Sequence, residues 1–415
     1  MSENPALSDP NTGSLANDDA AARVEMDYEI LGANADDMKD LTLKEIVLAE
    51  SLLTPGLQTS VKFDSYIHNR PVKDFDRFKG KALNIAMVRP ILAKYGLPTT
   101  LTLSQTIYRL DGRSLIDNNV ERFTLRACDP TQLNDAKTLV SKSWKCTPPS
   151  SVVDYVLDVC VGAAEKDVEF ALFPKDYIAE NIHPYQVISQ MCDQAVSSNG
   201  LDPSFVHYMT YEKMGTHKFR SLAELVKQQP VMNYKFNEFS GGWVDPSTIM
   251  TYSFPCDFDL LSDALNGIDE NGENINTIML FNPVLKSFST LGVSTFGCGI
   301  GGGVVKHAIS NQNSAQQQDS CPDYSNVALL NRQARMSLLD RDKIAIKLIV
   351  PFNPSLNAGK MINVNLYNKE DIKTVVKNYG SGQYLILHLV HHVVLGGMGT
   401  TTIDCVSSSV GKGVV

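Results

Sequence analysis

"TIYRLDGRSLIDNNVERFTLRACD" (106–129) reads as a strand, a long turn and a closing strand that ends beside Cys128. "YLILHLVHHVVLGGMGTTTIDCVS" (384–407) has the same plan and closes near Cys405. One pair of look-alike hairpins so far apart in a chain is compatible with two related β modules.

Around the first hairpin, residues 42–128 are strand-like throughout. "VKFDSYI", "TLTLSQTIYRL" and "VERFTLRAC" alternate apolar and polar residues between Gly, Pro and Asn breaks, and "NIAMVRPIL" is a shorter apolar run. A small antiparallel barrel or sandwich is expected. Around the second hairpin, "KIAIKLIVPF", "MINVNLY" and "TTTIDCVSS" give a strand-rich end.

Between them the pattern changes to mixed α/β. "DPTQLNDAKTLVSKSWK" is partly helical in character, and "PPSSVVDYVLDVCVGA" has a helix signature, with Pro149 before the start, Ser151 and Asp154 as a capping box and Gly162 as a stop. In "HPYQVISQMCDQAVSSNG", Pro184 opens a helix whose Ile188, Met191, Cys192 and Ala195 share one face before Gly200. "HYMTYEKMGTHKFRSLAELVKQQP" (207–230) mixes rings and cations as a single-strand nucleic-acid platform does. It also reads as a hairpin turning at Gly215, with half-buried aromatics, feeding a helix that Ser221 and Glu224 cap and Pro230 stops. The hairpin reading accounts for every residue and is preferred.

The chain has 415 residues, 43% hydrophobic and 20% charged, an ordinary globular balance with room for two or three domains. No apolar run reaches the ~18 residues of a membrane span. Residues 1–40 hold ten acidic and two basic side chains, a net −8 of the formal −9, which leaves about −1 for the rest. That leader is expected to be a flexible acidic arm, and secretion is not expected from it. A body near neutrality has no bulk charge for gripping nucleic acid. The eight cysteines (128, 146, 160, 192, 256, 298, 321 and 405) form no C-x-x-C and are expected to be reduced, buried hydrophobes.

Several motifs invite chemistry and fail on context. Gly297, Gly299 and Gly302 satisfy G-x-G-x-x-G, with Asp319 or Asp323 about twenty residues on. The polar "VVKHAISNQNSAQQQ" that follows cannot pack as the required helix, so 296–320 is expected to be an exposed Gly/Gln-rich loop. His388 and His392 are spaced for zinc on a helix, but Leu389 stands where a zincin needs Glu. On a strand the two lie roughly 13 Å apart, with His391 facing away from His392. Asp154 with Asp158, and Glu165 with Glu169, read as solvated pairs. The expected site inventory is therefore empty: no catalytic residue, no metal, no cofactor.

Four blocks resemble the baseplate hub protein of contractile-tailed bacteriophages, in cyanophage-like forms: 118–163, the 207–230 hairpin with its "KFRSLAEL", "IMTYSFPCDFDLLSDALNGI…IMLFNPVLKSF" (249–288), and 357–407. Their shared order and spacing over most of 42–410 carries the likeness. The leader and the 296–320 loop have no counterpart. The resemblance implies an α+β, mainly β chain with two similar antiparallel β-barrel (tube-type) domains and an intervening α/β region. The boundaries expected are an arm at 1–41, a first barrel at 42–128, the α/β region at 129–230 plus 263–330, a second barrel at 231–262 plus 331–410, and a tail at 411–415. It further implies a non-enzymatic homotrimer whose six barrels join the sixfold tail tube to the threefold central spike. Partners would be the spike protein, the tube protein and tape measure, and wedge proteins, with DNA only in transit and no membrane span. The setting would be the virion baseplate, assembled in host cytoplasm. Alternatives are the hub of a phage-like secretion or toxin-injection system, and a nucleotide-binding enzyme using Gly297–Gly302.

Overall fold

The alternating runs become strands because each has an apolar face to bury, and a continuous sheet is the arrangement that pairs their backbones at the same time. The computed structural model describes residues 22–32, 41–66, 78–117, 119–198, 202–236, 245–255, 336, 346–366, 380–397 and 399–407, and the backbone of 276–282, 287–293 and 305–309. The glycines of the G-x-G-x-x-G match and the 411–415 tail lie outside the described residues.

The first module holds β1 (Glu25–Ile30), β2 (Leu41–Ser51), β3 (Gln58–Tyr66), β4 (Ala82–Val88), β5 (Thr100–Asp117) and β6 (Val120–Cys128), side by side in the order β1-β4-β5-β6-β3-β2. Its inward residues, among them Ile46, Val61, Phe63, Leu103, Phe123 and Leu125, form one core. The sheet curls until its ends meet, where the Tyr28 hydroxyl donates to the Leu41 carbonyl (2.9 Å) and its ring packs edge-on against Phe63. The leader was expected to be flexible throughout, yet β1 lies within it and pairs antiparallel with β4. Its acidic residues Glu25, Asp27 and Glu29 alternate with Met26, Tyr28 and Ile30, so composition hid a strand whose apolar face covers the core.

The intervening region runs α1 (Pro130–Lys137), β7 (Val140–Thr147), α2 (Pro149–Tyr155), a π-helical turn to Val161, β8 (Glu165–Val168), β9 (Ala171–Leu172), β10 (Lys175–Ile182), α3 (Pro184–Gln194), β11 (Val196–Ser197), β12 (Phe205–Thr210), β13 (Thr216–Ser221) and α4 (Leu222–Val226). α1 carries a full capping box from Asp129 and Gln132. α2 does not use Ser151 and Asp154 in this way: Pro148 is its N-cap, and no side chain caps it. Ser151 already sits inside the first turn. Gly162 ends the helix in the left-handed region, and Ser221 caps α4 as the sequence suggested. Glu165 and Glu169 belong to a strand and its exit, not a helix. Trp144 stacks on Tyr177 and meets Tyr155 edge-on, anchoring the β7–β10 ribbon on the helices.

The hairpin β12–β13 is more deeply buried than its alternation implied. All six β12 residues are buried, because three cores meet there: Phe205 and Phe219 serve one, Met209 and Tyr211 that of the first module, Val206 and Tyr208 a third. The rings that resembled a base-stacking platform are structural.

The second module holds β14 (Asn233–Phe236) and β15 (Thr251–Ser253). After the separate sheet of β16 (Asn276–Asn282), β17 (Ser287–Val293) and β18 (Val305–Ile309), it adds β19 (Ile346–Pro351), β20 (Met361–Leu366), β21 (Gly382–Val394) and β22 (Thr400–Val406). Its order is β14-β20-β21-β22-β19-β15 around a core that includes Tyr234, Leu348, Ile386 and Ile403. Backbone bonds close the ring, since Lys235 N donates to the Ser247 carbonyl and Ile249 N to that of Lys235. β14 runs parallel to β20, so this module is not antiparallel throughout. β18 falls inside the stretch expected to be one exposed loop and pairs parallel with β16. A strand of five residues between Gly- and Gln-rich flanks leaves little periodic signal.

Candidate assembly interface

The two modules share strand order in space and in sequence: first, second, third, fourth, fifth and sixth strands of each occupy the same places. Residues 279 apart then play the same parts. Gly80 and Gly359 both have positive φ (74° and 81°), and donate to the carbonyls of Ile107 and Ile386 at 2.8 and 2.9 Å. Ile107 and Ile386 donate back to Lys81 and Lys360, each at 2.9 Å. Both long strands carry a bulge at the next step, between Ile107 and Arg109 and between Ile386 and His388. The signal was present in the sequence as "GKALNIAM" (80–87) and "GKMINVNL" (359–366), upstream of the two hairpins that were noticed.

The modules join edge to edge. β2 pairs antiparallel with residues 388–394 of β21, so that a single twelve-stranded sheet passes through both. On its solvent face Glu45 takes Lys62 of β3 and, across the seam, His392 (3.0 Å) as partners. Burial pushes its carboxyl up, but its bonds to Lys62 and His392 outweigh that and hold it below its ordinary value. Along the same face Arg122 grips Asp64 with two bonds (2.7 and 3.0 Å), Asp111 meets Arg109 and Arg126, and Lys347 lies 3.5 Å from Asp404. The charges alternate in sign and compensate locally.

Beneath the seam two buried ions tie the pieces. The Glu50 carboxylate, at the end of β2, accepts from Tyr211 N (2.6 Å), Ala358 N (2.7 Å) and Asn357 Nδ2 (3.1 Å). It thus links the first module, the β12–β13 hairpin and the second module. Burial raises its pKa to about 7 against the pull of those donors. Arg89 is fully buried and donates to the carbonyls of Phe352 (2.8 Å) and Ala22 (3.2 Å), and burial lowers its pKa to about 10. None of these residues was singled out from sequence, because each is an isolated charge beside a strand end.

The tempting residues fall elsewhere. His388 and His392 share the seam strand, while His391 turns inward, bonds the Thr401 hydroxyl (2.8 Å) and meets the Phe352 ring edge-on. Asp154 and Asp158 both hold Lys166, at 2.9 and 2.6 Å. Glu169 secures Ser197 and Ser221. Cys128, Cys160, Cys192 and Cys405 lie outside any disulfide, but Cys146 takes part in one, contrary to the expectation of eight reduced cysteines. Spacing alone does not reveal a pairing that the fold creates. Among the described residues no group of His, Cys, Asp and Glu is placed to hold a metal, and no helix is long and apolar enough to cross a membrane.

No family model and no curated protein matches the sequence. Among solved structures, the tail protein from Neisseria meningitidis MC58 superposes with a TM-score of 0.56 at 8% identity, covering 93% of this chain and 97% of that one. The 43 kDa tail protein of prophage MuSo2 from Shewanella oneidensis gives 0.54 at 9%, covering 93% and 98%. The fold is that of phage tail proteins. At such identities the likeness is one of architecture, and it spans nearly the whole length of both neighbours.

Proposed function

We propose that this chain is the structural hub of a contractile phage tail, a non-enzymatic homotrimer working in the virion baseplate after assembly in host cytoplasm. Three copies supply six equivalent modules, which meet the sixfold tube, while the intervening regions keep threefold symmetry for the central spike. Tape measure and wedge proteins adjoin the same ring. The observation that carries this reading is the repeat itself: two six-stranded modules of identical strand order, already joined edge to edge within one chain. A seam that works once between equivalent modules can be used again between copies, and a heterologous contact that closes makes a ring.

The solvent face of the continuous sheet would line the channel. Among its described residues Arg122, Lys62, Arg126 and Lys347 are held by Asp64, Glu45, Asp111 and Asp404, which leaves passing phosphates less charge to grip there. Mass photometry of the purified protein should give three times the 45.6 kDa chain mass, and electron microscopy should show six lobes in end view. A protein that stays monomeric at micromolar concentration, or particles with one lobe per chain, would overturn the proposal.

A further inference from the structure

In the twelve-stranded sheet, β15 on the side away from β19 and the stretch 114–116 of β5 on the side away from β6 are edges with no strand paired to them among the described residues. Their equivalents inside the chain are β2 and residues 392–394 of β21, and those two pair with each other. We propose that β15 of one copy pairs antiparallel with residues 114–116 of β5 in the next copy, in the register that the internal repeat dictates. The inference rests on the ring reading and gives it an address.

The register follows from ladder positions. Ile46 faces Val61, which faces Leu125; Tyr252 faces Leu348, which faces Ile403. Leu125 and Ile403 face Leu110 and Leu389, residues 279 apart. Tyr252 is therefore the counterpart of Ile46, and Thr251 that of Glu45. Beyond Asp111 the extra residue of the β5 bulge shifts the offset to 278, so that Ser114, opposite Arg122, is the counterpart of His392, opposite Thr400. Within the chain Glu45 sits opposite Val394, whose counterpart is Ile116, and Val47 opposite His392. Thr251 of one copy then lies opposite Ile116 of the next, and Ser253 opposite Ser114.

Exposure marks the same surface. Ile46 and Leu387 are 0% exposed in the internal seam, whereas their counterparts Tyr252 and Tyr108 are 36% and 46% exposed, and Leu115 is 65% exposed. Apolar side chains are thus left open at the positions whose equivalents the internal seam covers. Edge strands in this state are templates for another chain, and main-chain bonds between them give affinity without any special side chain.

The alternation of bonds along the internal seam fixes the test. Leu395 N donates to the Lys44 carbonyl and Leu52 N to that of Leu387, so Glu45 and Val394 form a pair without mutual backbone bonds, with Cα atoms about 4.5 Å apart. Cysteines at the equivalent positions are within reach of a disulfide. The full chain carrying Thr251→Cys and Ile116→Cys should oxidise to covalent dimers and closed trimers on a non-reducing gel. Thr251→Cys with Ser114→Cys, two residues out of register at roughly 7–8 Å, should link at least tenfold less. Both positions are solvent-exposed, so folding is preserved, and each single variant controls for native thiols. A particle of trimer mass that links neither pair, or both equally, overturns the pairing and leaves the ring standing. A monomer overturns both.

Discussion

Replacing Gly80 and Gly359 by alanine, one at a time, separates backbone strain from packing within a single repeat. Both glycines hold positive φ and make the same bond to the long strand of their module. An alanine there costs about 1–2 kcal/mol in the left-handed region, offset by about 0.4–1 kcal/mol from the stiffer unfolded chain. At Gly80 a new Cβ meets nothing within 4 Å, so the whole effect should be a loss of about 1 kcal/mol. At Gly359 the Cβ would stand 2.4 Å from the Tyr208 hydroxyl and 2.8 Å from Cζ. That ring is buried in the core between the hairpin and the second module. Overpacking adds about 1–3 kcal/mol, for a total of about 2–4 kcal/mol. Urea unfolding followed by circular dichroism measures both variants against the parent. Equal losses, or a larger loss at Gly80, would refute the claim that one frame serves two different surroundings.

Gly215→Val should destabilise the β12–β13 turn by about 2–4 kcal/mol, since φ is 126° and a Cβ would lie 2.6 Å from Asp129 Oδ2; an unchanged unfolding midpoint would contradict this. Arg89→Met should cost about 2–4 kcal/mol by leaving the Ala22 and Phe352 carbonyls without their charged donor, and should open the chain to proteolysis near residue 24; protection equal to the parent's would count against it. Buried His217 and His391, with pKa values lowered to about 4 and about 3 by desolvation, bind protons only on unfolding, so stability should fall as pH drops below about 6.5. Glu50 acts with the opposite sign: its raised pKa makes the folded state hold a proton between about 4.5 and about 7, a gain on acidification of about 3 kcal/mol. Glu50→Gln removes that gain, so its stability should fall more steeply than the parent's from pH 7 to 4.5, and parallel curves would refute the assignment.

Much of the strand content was legible because half-buried strands alternate, and the β5–β6 and β21–β22 hairpins announced themselves by that pattern. β1 was not legible: three carboxylates on its outer face outweighed three apolar residues in a compositional reading. The depth of the β12–β13 hairpin was also hidden, since alternation reports one buried face and this hairpin has a core on either side. The interface was invisible for a different reason. Edge pairing uses backbone groups that every residue carries, so β15 and the far half of β5 bear no motif. Only the strand order, once seen, shows which edges correspond.

The small size of the sequence echo follows from what the repeat must preserve. Inward positions need only volume and apolarity, which Leu83 and Ile362, Ile85 and Val364, or Leu125 and Ile403 supply interchangeably. The frame is less forgiving. A positive-φ residue must precede the fourth strand, and a bulge must follow Ile107 or Ile386 to hold the register of the hairpin. Gly–Lys survives in both modules for that reason while almost everything around it has drifted. The two edges carry different coats: Val393 is buried at the internal seam, while its counterpart Leu115 stands exposed. At the other edge Phe236, Tyr252 and Phe254 meet edge-on within the chain. The two edges are thus unlike in their side chains, and the internal seam already joins unlike strands, which favours head-to-tail closure over pairing of like with like.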